Sequence, residues 1–145
     1  MASVVYTEFK RANAAAEIDL NADDIRVALL MTNTTADTEE DTALMNAFTT
    51  IDECDATGYA RVALTGEAVT ADNTNDRAEF DADDASFTGL SGDATRDIQG
   101  VLVYKHVTND TDSIPICFVD FSADVTKFAT QIDIPWNAEG ILQLT

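Results

Sequence analysis

The sequence predicts a mainly β (α+β) domain, a β-sandwich or jelly-roll-like fold with one or two short helices in its N-terminal third. Three observations carry that expectation. The stretch Gly100 to Phe121, GVLVYKHVTNDTDSIPICFVDF, places two segments rich in Val, Ile, Tyr and Phe around a polar TNDTDS turn. This is the pattern of a β-hairpin with a loop of about six residues. Short strand-like segments recur along the chain at intervals of about 10 to 12 residues, as in sandwiches and barrels. Helical spacing of apolar residues is confined to two short stretches before residue 52.

Taken in order, Ser3 is placed to cap a short amphipathic helix whose Val5, Phe9, Ala12 and Ala16 share a face. Ile25, Val27, Leu29 and Met31 alternate with Arg26, Ala28, Leu30 and Thr32, which predicts a strand. Thr38 followed by Asp41 has the spacing of a capping box, and Leu44, Phe48 and Ile51 follow on one helical face, so a second helix is predicted there. Glu39, Glu40 and Asp41 would suit the positive end of its dipole.

Tyr59 to Thr70 reads as strand kinked at Gly66, the DNTND of Asp72 to Asp76 as a turn, and Arg77 to Asp81 as strand again. Ala85 to Thr88 is a further short strand, and Gly89 to Asp97 is loop. In the hairpin, Val101, Val103 and Val107 line one face and Leu102, Tyr104 and His106 the other. Both faces are apolar, so it must be covered on its second side by another layer or a neighbouring subunit. Finally Ile132, Ile134 and Trp136 share a face of Thr130 to Trp136, NAEG turns, and Ile141 to Thr145 closes the chain.

At 145 residues the chain is one domain's worth, residues 1–145, and its fold should remove roughly 70% of the extended-chain surface from water. Its 27 acidic and 8 basic side chains give a formal charge of −19. Nucleic acid and anionic membrane are repelled by such a chain and are excluded as partners. Self-repulsion of this size is screened by salt, so a saline or divalent-rich setting is expected. No apolar run approaches the ~18 residues of a membrane span, which predicts a soluble chain. Cys54 and Cys117 lack metal-like spacing and read as buried or free thiols.

Candidate chemistry is sparse. His106, the single histidine, lies diagonally near Cys117 in the predicted hairpin, but nothing nearby orients the ring and a half-buried sheet histidine is favoured over a Cys–His dyad. Asp72 to Asp84, DNTNDRAEFDADD, offers carboxylates for a weak Ca²⁺ site, though Arg77 stands where an EF-hand needs glycine and solvated turns are favoured. Trp136, Tyr59 and Tyr104 are candidates for a sugar-stacking platform, with core or rim packing favoured. Carboxylate pairs for glycoside hydrolysis discriminate nothing in so acidic a chain. Phosphate-loop, dinucleotide and zinc motifs are absent, and no catalytic residue or cofactor is assigned.

Five segments in order, YTEFKRANAAAEIDLNADDIRVALLMT, NDRAEFDADDASFT, GVLVYK, IPICFVDFS and IPWNAEGILQLT, span nearly the whole chain. Together they resemble small virion structural proteins of tailed bacteriophages, the capsid decoration or cement proteins among them. The resemblance implies a non-enzymatic protein on the outer capsid surface that stabilises contacts between major capsid subunits. The alternative is a tail-associated structural or receptor-binding module. The major capsid protein and further copies of the chain, as a homotrimer, would be the partners. The extra apolar hairpin face would be buried in that assembly, which makes Tyr104, His106, Phe118, Phe121 and Trp136 the interface candidates.

Overall fold

Twelve-residue strand β8, Ile114–Val125, is the spine of the molecule. The computed structural model describes residues 2–92, 94–126 and 130–145. Within them β8 pairs antiparallel with β7, Ile98–Lys105, which pairs with β2, Ile25–Met31. Two-residue strands extend this sheet: β1, Val4–Val5, joins β8, and β3, Val62–Ala63, joins β2, giving the order β1-β8-β7-β2-β3. A second antiparallel sheet orders β10, Leu142–Leu144, against β5, Arg77–Asp81, and β4, Ala68–Asp72. The third pairs β6, Ala85–Thr88, with β9, Gln131–Ile134. The expected mainly β class with a short helix near the N-terminus holds, and the strands divide over three antiparallel sheets.

The hairpin's partners follow from its two apolar faces. Val101, Val103, Leu102, Tyr104, Cys117 and Phe118 are all within 1% of complete burial. Helix α1, Thr7–Ala14, packs on β8 through Phe9 and Ala12. Both faces are therefore covered by this chain itself. The expectation of a leftover apolar face awaiting a subunit is corrected: among the described residues Val69 and Val107 are the exposed large hydrophobics, and neither lies in β7 or β8. The total accessible surface of 7038 Å² is close to the roughly 7,250 Å² expected of a compact monomer of this mass.

Gly100 explains how β7 and β8 come so close. A Cβ there would lie 2.4 Å from the Val119 carbonyl oxygen and 2.7 Å from the Phe118 ring. A bulge follows along the same pair: Val103 opposes Cys117 but Tyr104 opposes Pro115, which leaves Ile116 as the extra residue. The strand thereby accommodates a proline without losing its partner.

Two helix expectations are corrected. Ser3 does not cap a helix: its N–H donates to the Phe118 carbonyl and its Oγ accepts from the Asp120 N–H, so it leads into β1. Val5 is consequently sheet, and the helix starts after Tyr6. The segment from Thr38 forms no α-helix, only a 3₁₀ turn at Met45–Ala47. Thr38 donates to the Thr35 carbonyl, while the Glu39 carboxylate accepts from the Thr35 hydroxyl and the Thr49 N–H. These side-chain bonds hold an ordered loop in place of helical ones. The loop closing β7–β8 is also longer than expected, with His106 and Val107 outside the strand.

Candidate functional site

Along β8 the burial changes character. Pro115 to Phe118 are enclosed, whereas Phe121 is half-buried and Ser122 to Asp124 are exposed. This outer half faces the end of β9, and between them lies a groove of about 330 Å³. Phe121 and Trp136 both line it, with Val119 and Ile132 as apolar neighbours and Asp120 and Asp133 as its charged residues.

Trp136 is held by two hydrogen bonds. Its backbone N–H donates to Asp84 Oδ1 at 3.0 Å, and its indole Nε1–H donates to the Asp83 carbonyl at 3.0 Å. The polar edge of the ring is therefore engaged inside the protein. Asp133 accepts from the Ser86 hydroxyl at 2.7 Å and from the Gln131 amide, and these bonds hold its carboxyl below the usual carboxylate range. Asp120 Oδ2 accepts from Gln99 Nε2 at 3.1 Å.

The five interface candidates separate. Phe121 and Trp136 meet at the groove. Tyr104 and Phe118 are corrected, because β1, β2 and β7 enclose them and they have almost no surface to offer. His106 lies at the opposite end of β7, half-buried and edge-on to Tyr104 with ring centroids 6.3 Å apart. Its backbone N–H donates to the Asp24 carbonyl, and the ring Nδ1 is buried without a partner among the described residues.

Chemistry expected elsewhere does not converge. Burial pushes the Cys117 thiol up to about 12, so it is no thiolate at neutral pH, and no hydrogen bond joins it to His106 among the described residues. Cys54 is likewise buried and raised by burial. Tyr59 stacks on Phe87 at 5.9 Å and donates to Glu53, so it does not share a sugar platform with Trp136. The acidic stretch Asp72 to Asp84 is split: β5 separates its turn from Asp81 to Asp84 by roughly 15 Å. Asp72 is occupied by Asn75, Thr74 and Arg77, and Asp83 and Asp84 by Thr65 and Trp136. No group of three or more metal-ligating side chains occurs among the described residues.

A polar cluster lay beyond the sequence reading. Arg61 reaches Glu53 at 2.8 and 2.7 Å and Asp110 at 2.5 and 2.9 Å, with its guanidinium 5.2 Å from the Tyr104 ring centroid. Glu53 also accepts from the Tyr59 hydroxyl, which in turn accepts from the Leu29 N–H. This network ties the hairpin loop to β2. A lone arginine beside a strand of an acidic chain was its one sequence signal.

Five further cations are similarly engaged. Arg11, Arg26, Arg77, Arg96 and Lys105 all form ion pairs within the chain. Comparison with protein-family models, curated proteins and solved structures found no match.

Proposed function

We propose that this chain is a non-enzymatic phage capsid decoration protein, binding the outer surface of the head and stabilising contacts between major capsid subunits. The observation that carries this reading is the disposition of charge. Six of the cationic side chains are satisfied internally, while among the described residues most of the acidic ones have no cationic partner. Such a surface is repelled by packaged DNA and is suited to a position outside the shell, against a protein whose exposed charge is basic. The ordered resemblance across nearly the whole chain supports the same reading. The proposal includes homo-oligomers, trimers at threefold positions, held by surfaces other than the central sheet.

The experiment is cryo-EM of virions that carry the chain, with particle stability compared in its presence and absence. Density on the outside of the head, together with heads that withstand more heat when the chain is bound, is the expected result. Density confined to the tail would replace this reading with the tail-associated one. Light scattering of the purified chain reports the oligomer.

A further inference from the structure

The groove between the outer half of β8 and the end of β9 joins two aromatic rings to a rim of one charge sign. Of the described residues lining it, Asp120 and Asp133 are the ionisable ones, and no lysine or arginine is among them. We infer that this groove receives a lysine or arginine side chain from a basic, extended segment of the partner protein. The inference deepens the contact function proposed above, and rests on it for the partner's identity but not for the groove's chemistry.

Three features converge on a cation. The first is charge: Asp120 and Asp133 are among the residues lining the groove, hydrogen bonds from Ser86 and Gln131 hold the Asp133 carboxyl below the usual carboxylate range, and the −19 of the whole chain adds a long-range attraction. The second is the aromatic pair. Tryptophan presents the best π-face for a cation, and Trp136 has its indole N–H already bonded to Asp83. The ring is thus pre-set, and what it has left to offer a ligand is its π-surface. Phe121 supplies a second ring. The third is size. About 330 Å³ admits one or two long side chains. A second copy is a poor occupant of this groove, since six of its cationic side chains are already engaged in internal ion pairs.

Trp136 is the single tryptophan, so its fluorescence reports this groove directly. The intact chain is titrated with an acetylated, amidated Gly-Arg-Gly-Arg-Gly peptide, its lysine and glutamine counterparts, and maltotriose, with calorimetry in parallel. A saturable change with the arginine and lysine peptides, and none with the glutamine peptide or the sugar, is expected. Asp120→Asn and Phe121→Ala should each weaken binding roughly threefold or more. Glu40→Gln with Asp41→Asn, in a separate depression, should leave it within error. Asp120→Asn alters only an exposed side chain, so a folding defect in Phe121→Ala leaves the test intact.

Equal weakening by the remote pair would mean bulk attraction and overturn the inference. A response to the glutamine peptide or to maltotriose, or no saturable response to the arginine peptide, would overturn it too. The two readings fail separately: loss of peptide binding with retained uptake by phage heads sinks the groove alone. Peptide binding without uptake by heads sinks the decoration function alone.

Discussion

Replacing Arg61 by methionine keeps the length of the side chain and removes the guanidinium that links Glu53, Asp110 and Tyr104. Two carboxylates are then left facing the space it occupied. Exposed ion pairs contribute about 0–1 kcal/mol, while breaking a buried one costs about 3–5 kcal/mol. The Arg61 and Glu53 side chains are 21% and 23% exposed, and that of Asp110 is 38%. The site lies between those limits, so Arg61→Met should cost about 2–3 kcal/mol. For a domain of this size that is a fall in Tm of roughly 6–10 °C, read by calorimetry and by urea unfolding at unchanged m-value.

The pH dependence gives the argument its sharper test. Arg61 holds the Asp110 carboxyl below its ordinary value. A carboxyl depressed in the folded state contributes stability that is fully present above its unfolded pKa, about 4, and is lost as pH falls through the lower folded value. The difference between the native chain and Arg61→Met should therefore narrow as pH drops from 7 toward 3. A gap that stays constant over that range would show that lost packing, not lost charge, sets the effect. A fall in Tm under about 2 °C at pH 7 would refute the estimate itself.

Gly100→Ala should destabilise by about 1–3 kcal/mol through overpacking, because the added methyl meets the Val119 carbonyl and the Phe118 ring; an unchanged urea midpoint would contradict the close approach of β7 and β8. Neither Cys54 nor Cys117 should react with a thiol reagent in the native state, and both should react after unfolding, as counted by absorbance. Raising NaCl from low to near-molar concentration should raise Tm, since the −19 charge is screened; a flat or falling Tm would mean that the self-repulsion is negligible.

Strands β2, β5 and β6 were legible because each carries its own pattern: alternation in Ile25 to Met31, and turn residues around Arg77 to Asp81 and Ala85 to Thr88. The predicted helix from Thr38 failed where local spacing competed with distant partners. Glu39 bonds to Thr49 and the Thr35 hydroxyl bonds across to Thr50, and no periodicity encodes bonds of that span. Ser3 misled for the same reason, since its hydroxyl serves Asp120 across the sheet. Among the interface candidates, the sequence could not separate Phe118 from Phe121. Alternation puts these two residues, three apart on one strand, on opposite faces, but both faces are apolar and the pattern does not tell which is covered: β1 pairs alongside Phe118, while Phe121 lies where the strand opens onto the groove. The meeting of Phe121 with Trp136 depends on how β8 and β9 are brought together in space, which strand alternation does not contain.

Strand β8 behaves as a cantilever. Its root, Pro115 to Phe118, is clamped between β1 and β7, and its tip carries one wall of the groove. Load placed on Phe121 by a bound segment is thus transmitted along a continuous backbone into the least yielding part of the molecule. Protection against amide exchange should fade progressively from root to tip along this single strand, and occupancy of the groove should stiffen the tip while leaving the root unchanged.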